Sequence, residues 1–99
     1  MVKHIVLWNF NDDLTIDERK TAGEQLKVSL ESLKDQIEGV ELLEVRINNM
    51  SGSNKDIALI SEFTSLEALN AYQVHPLHVE AGQYVKKVTK ERVCFDYEV

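Results

Sequence analysis

The first apolar run, VKHIVLWNF, alternates strictly: His4, Val6, Trp8 and Phe10 share one side, and Ile5 and Leu7 the other. It is short, rich in β-branched and aromatic residues, and ends in the polar cluster Asn9, Asn11, Asp12 and Asp13. That pattern predicts a first strand with apolar cover on both faces. TIDE follows as a capping box, Thr15 facing the first-turn amides and Glu18 three residues on. The helix it opens carries Ala22, Leu26, Leu30, Leu33 and Ile37 at helical spacing, and Gly39 closes it. VELLEVRINNM (40–50) reads as a second strand, SGSNKD as a turn and IALISEF (57–63) as a third strand, a link short enough for an antiparallel hairpin. A second capping box, TSLE, with Thr64 and Glu67, opens a helix that runs to Pro76. LHVEAGQYVKKV resumes as a short helical piece, and RVCFDYE (92–98) is a last strand with Val93, Phe95 and Tyr97 on one face.

The order β-α-β-β-α-β predicts an α+β, ferredoxin-like chain: a four-stranded antiparallel sheet with both helices on one face. Residues 1–99 form one domain, because a chain of this length supports one core. The far side of the sheet lacks a cover, yet the first strand is apolar there too. A second copy packed sheet to sheet removes that surface from water, so a homodimer is expected.

Charge narrows the partners. Seventeen Asp and Glu against eleven Lys and Arg give a net charge of −6, the wrong sign for nucleic acid or an anionic membrane. The single cysteine, Cys94, cannot form an internal disulfide or assemble a thiolate zinc site, and in a strand it reads as inert. The amino terminus shows neither a cleavage pattern nor a membrane-length apolar segment, so a cytoplasmic protein is expected.

Candidate chemistry concentrates in YQVHPLHVEAGQYVKKV, where Tyr72, His75, Pro76 and His78 fall within seven positions. An imidazole takes a proton near neutral pH, and a phenol donates to a developing oxyanion. The alternative is a core tyrosine with its hydroxyl bonded to a neighbouring histidine, and a His75 that caps the helical piece after the proline. Trp8 reads as a core or dimer contact. No metal is expected, because the 75/78 spacing is not the i, i+4 pairing of helical zinc motifs.

VKHIVLWNF, TSLEALNAYQVHPLHV and FDYE together resemble the stress-responsive α/β-barrel (Dabb) family, over essentially the whole chain. The resemblance implies a dimeric α+β barrel that needs no cofactor. One plant member, olivetolic acid cyclase, closes a linear polyketide, and the resemblance places its acting tyrosine and histidine at Tyr72 and His78. His4, Val6 and Trp8 then correspond to substrate-binding positions, with His75 close by. Ala22, Gly23 and Leu26 stand where the cyclase has bulky aromatics, and Ile57 replaces a pocket histidine, so a differently shaped pocket follows. The expected function is a homodimer of uncharacterised activity that binds a small apolar molecule. The alternatives are a proton-transfer enzyme of the polyketide-cyclase type and a monooxygenase or haem-using barrel.

Overall fold

In a computed structural model that describes all residues from Met1 to Val99, β1 (Val2–Phe10) runs through the sheet with a neighbour on each side. α1 (Ile16–Glu31) follows and tightens into a 3₁₀ turn at Ser32–Asp35, then come β2 (Val40–Ile47) and β3 (Ile57–Phe63). α2 (Leu66–Val74) and α3 (Pro76–Val88) are separated only by His75, and β4 (Thr89–Glu98) leaves α3 without a loop. The strands lie in the order β2-β3-β1-β4, every neighbouring pair antiparallel. This is the ferredoxin-like α+β arrangement, with its second helix in two pieces. No helix is long and apolar enough to cross a membrane.

Alternation in β1 decides what each face carries. Val2, His4, Val6, Trp8 and Phe10 are buried beneath the helices, while Ile5 and Leu7 are half-buried on the other face. Register extends the division across the sheet. His4 stands between Ser61 and Asp96, and Val6 between Leu59 and Cys94. On the outer face Ile5 stands between Ile60 and Phe95, and Leu7 between Ala58 and Val93. The core closes when Leu26, Leu30 and Leu33 of the first helical run meet Val45, Leu59 and Phe63 of the sheet and Leu69 and Tyr72 of α2.

The first capping box forms as its sequence predicts: Glu18 N donates to Thr15 Oγ1 at 3.1 Å and Thr15 N to the Glu18 carboxylate at 2.9 Å. The second start shifts by one residue. Ser65, not Thr64, is the N-cap of α2, its Oγ accepting from Ala68 N at 3.1 Å, while Thr64 N donates to Gly39 O at 3.0 Å. β2 ends at Ile47 rather than Met50, since Asn48 folds its side chain onto Met50 N at 2.8 Å and begins the hairpin turn. β4 starts three residues before the expected Arg92 and contains a bulge, where Glu91 adopts φ 55° and the register with β1 slips between Leu7 and Asn9.

Gly39 has φ +89°, and a Cβ there would lie 2.6 Å from the Cβ of Ala68. Both the left-handed backbone and the close approach to α2 require glycine. Gly39→Ala is expected to lower unfolding free energy by more than ~1 kcal/mol, measured by chemical denaturation. An unchanged midpoint would show that this contact bears no weight.

Candidate functional site

Pro76 shapes the site by what it forbids. The residue before a proline is pushed out of the helical region, and His75 has φ −62° and ψ 135°. α2 therefore ends at Val74, and α3 restarts with Pro76 in its first turn, where a missing N–H costs nothing. His75 serves this junction directly: its Nδ1 accepts from Leu77 N at 3.1 Å, which makes it the N-cap of α3. It does not line the cavity described below.

Tyr72 and His78 fall on opposite sides of the break but meet across it. Their ring centroids are 4.3 Å apart at 46°, and Tyr72 also packs on Phe63 at 4.9 Å. Tyr72 is fully buried, and its hydroxyl has no hydrogen-bond partner. The expected bond from this hydroxyl to a neighbouring histidine is therefore absent. Burial holds the phenol above its ordinary range. His78 Nδ1 lies 3.1 Å from the carbonyl of Gln73; a carbonyl only accepts, so Nδ1 carries the proton and Nε2 keeps its lone pair. Desolvation pushes the His78 pKa down, helped by the nearby His4 and Arg92, while the Gln73 contact opposes the shift.

Beside this pair lies a cavity of about 370 Å³. β1 contributes His4, Val6 and Trp8, β3 Leu59, and α1 Leu30. α3 lays His78, Gly82, Val85 and Lys86 over them, and Arg92 closes the side toward β4. A larger groove of about 760 Å³ follows the β2–β3 hairpin, but its charged lining is already engaged, Lys27, Arg46 and Lys55 in ion pairs and Asp56 by Phe10 N, so it is a weaker candidate.

His4 is fixed at the floor. Its Nδ1 is hydrogen-bonded to the carboxylate of Asp96, whose Oδ1 also accepts from the Cys94 thiol at 3.3 Å, and Cys94 Sγ is 3.6 Å from the same His4 nitrogen. Burial opposes ionisation of Asp96, but hydrogen bonds from His4 and Cys94 hold it below the ordinary carboxylate range. Burial and Asp96 push the Cys94 thiol up, so it stays protonated. The sulfur and the carboxylate converge on one nitrogen instead of using opposite ends of the ring. They hold His4 in place and do not form a nucleophile and base in series.

Of the residues singled out in the sequence, His4, Val6, Trp8 and His78 share the cavity wall, Tyr72 packs behind His78, and His75 caps a helix. Ala22 and Leu26 are buried in the core, and Gly23 packs on Phe10 and Ile47, so α1 fills this region and only Leu30 reaches the cavity. Ile57 is also core. Sequence reasoning missed Arg92, Cys94 and Asp96. Their parity was legible, because they alternate with Val93, Phe95 and Tyr97, but their neighbours depend on a pairing with β1 some ninety residues away.

The chain matches the profile of the stress responsive A/B barrel domain, Dabb, over residues 2–99. It belongs to the Dabb family. A dimeric ferredoxin-like protein of unknown function from Bacteroides fragilis is similar at 37% identity, with TM-score 0.92 over 99% of this chain and 95% of its own. A dimeric ferredoxin-like protein of unknown function from Thermobifida fusca is 24% identical, with TM-score 0.83 over 99% and 90%. The hydroxynitrile lyase of Passiflora edulis shares the fold at 14% identity, TM-score 0.81, over 99% and 92%. No curated protein matches the chain in sequence.

Two outcomes follow from this Dabb site. Tyr72→Phe removes a buried hydroxyl that bonds to nothing, so chemical denaturation should show equal or greater stability, by up to about 1–2 kcal/mol; a clear loss would mean that the hydroxyl has a partner in the free protein. His78 should titrate by NMR below the ordinary histidine value of 6.5. As pH falls through that value the unfolded chain takes up the proton first, so the contribution of His78 to stability is present above the window and lost below it. His78→Gln should flatten this acid limb, and an unchanged limb would assign it to other groups.

Proposed function

We propose that this Dabb protein is a cytoplasmic homodimer that binds a small, largely apolar molecule in the cavity beneath α3. The observation that carries this reading is the convergence of Val6, Trp8, Leu30, Leu59 and Val85 with the imidazoles of His4 and His78, the latter with its Nε2 lone pair free. The outer sheet face supports the dimer. Phe95 is 65% exposed, Val93 46% and Tyr97 38%, and register sets Phe95 beside Ile5 and Ile60 and Val93 beside Leu7 as an apolar patch, with Tyr97 beside Lys3 at its edge. The similar Bacteroides fragilis protein is dimeric.

A second reading is a proton-transfer enzyme in which His78 Nε2 takes a proton from an acidic carbon and Tyr72 donates to the oxyanion that forms. Two observations favour it: the fixed tautomer of His78, and a phenol beside it with no partner of its own. Tyr72 is fully buried behind His78 and off the cavity wall, so a ligand oxygen reaches its hydroxyl only where His78 swings aside.

One experiment addresses assembly and cavity together. Sedimentation should give twice the 11.3 kDa chain mass, reduced to the chain mass in Phe95→Glu. Toluene titrated into the dimer should shift NMR signals of Val6, Trp8, Leu59 and Val85, and Gly82→Leu should abolish those shifts, because open space lies where a side chain would grow from Gly82. A monomeric wild type would remove the dimer. Shifts absent from the cavity, or retained in Gly82→Leu, would remove the binding site.

A further inference from the structure

The cavity has the opposite charge from the chain that encloses it. Its ionisable wall residues are His4, His78, Lys86 and Arg92, with no carboxylate among them, although acidic residues outnumber basic ones seventeen to eleven. Most basic side chains are already engaged. Lys3, Lys27, Arg46, Lys55 and Lys90 are ion-paired, and Arg19 donates to the carbonyls of Leu14 and Asn11. Lys20, Lys34, Lys86, Lys87 and Arg92 form no ion pair, and of these only Lys86 and Arg92 line the cavity.

Lys86 has an account that needs no ligand, since it lies in the last turn of α3, where a cation complements the helix dipole. Arg92 has none. It follows Glu91, which sits in the left-handed region at φ 55°, and the slip in register sets Glu91 and Arg92 together against Trp8. Such a conformation carries a cost and persists where the surroundings hold it. Here Asn9 Nδ2 donates to the Glu91 carboxylate at 2.7 Å, and Lys55 lies 3.7 Å from it. Beyond the bulge Arg92 takes the face shared with Cys94 and Asp96, at the cavity wall. The Asp96 carboxylate, which feels the Arg92 charge, is held by His4 and Cys94.

We infer that the ligand of this cavity is a carboxylic acid with an apolar body, its carboxylate received at the mouth by the Arg92 guanidinium with Lys86 as a second cation. The body lies against Val6, Trp8, Leu59 and Val85. A guanidinium fork matches the two oxygens of a carboxylate, and an apolar setting strengthens that pair.

This rests on the cavity being the binding site, and a matched pair of probes separates the two claims. 4-Phenylbutyrate and 4-phenylbutyramide differ in charge and little in shape. Trp8, the chain's one tryptophan and part of the wall, reports binding by fluorescence at neutral pH. The acid should bind the wild-type protein about tenfold more tightly than the amide, as expected for a charge-assisted pair at a partly open mouth. Arg92→Leu should bring the two within about twofold while the affinity for the amide stays the same. Equal binding of acid and amide by the wild type overturns the carboxylate and leaves the cavity standing. An acid preference that survives in both Arg92→Leu and Lys86→Met overturns the assignment to these residues. Failure of both probes to change Trp8 fluorescence removes the cavity as the site, and the inference with it.

Discussion

The strict alternation of β1 is the constraint on which the rest of the structure depends. It is hydrogen-bonded to β3 on one side and β4 on the other, so its register sets which residues of three strands share a face. A slip of one residue would send His4, Val6 and Trp8 to the outer surface and bring Lys3, Ile5 and Leu7 under the helices. Burying Lys3 would break its ion pair with Glu62 and leave a charge in the core. The cavity floor and the apolar outer face therefore have a single origin, since the register that aims His4 inward also aims Ile5 and Leu7 outward.

The proline acts at shorter range but with equal consequence. Without Pro76, α2 and α3 would join into one rod, and Tyr72 and His78 would take the spacing of a continuous helix, a little under two turns. The extended His75 changes the direction of the chain between them. Tyr72 can then pack inward against Phe63 while His78, in the first turn of a newly aimed helix, lies over its ring. His75 offsets the cost of the break by supplying the acceptor that a new helix start needs.

Features governed by local rules were legible in the sequence. The first capping box, the strand in IALISEF and the break at Pro76 each follow from a few adjacent residues, and each is found where the pattern places it; Gly39 takes its left-handed backbone, but the helix has already ended at Glu31 and its 3₁₀ turn at Asp35. Misplaced features have non-local causes. α2 starts one residue later than its motif suggests, beyond a Thr64 whose amide is bonded to Gly39, twenty-five residues earlier. The cluster of His4, Cys94 and Asp96, and the position of Arg92 at the cavity, arise from strand pairing between the two ends of the chain and from a bulge that no turn residue announces. Likewise, the substitutions at Ala22, Gly23 and Leu26 showed that the pocket would change shape, but not that α1 would fill that side and leave the opening between α3 and β4.

What distinguishes this core is the polar groups it retains at a cost. A phenylalanine at position 72 would keep the contact with Phe63 without burying an unpaired hydroxyl, a defect worth about 1–3 kcal/mol. An apolar residue at position 78 would spare the desolvation that lowers the imidazole's pKa. Left-handed Glu91 adds a conformational cost on β4. Three such departures in unrelated parts of a chain would be scattered defects, but here they surround one cavity: Tyr72 behind it, His78 over it and Glu91 beside the arginine at its mouth. Local rules broken together around one empty volume, in a chain that obeys them elsewhere, are the physical ground for the proposed binding site.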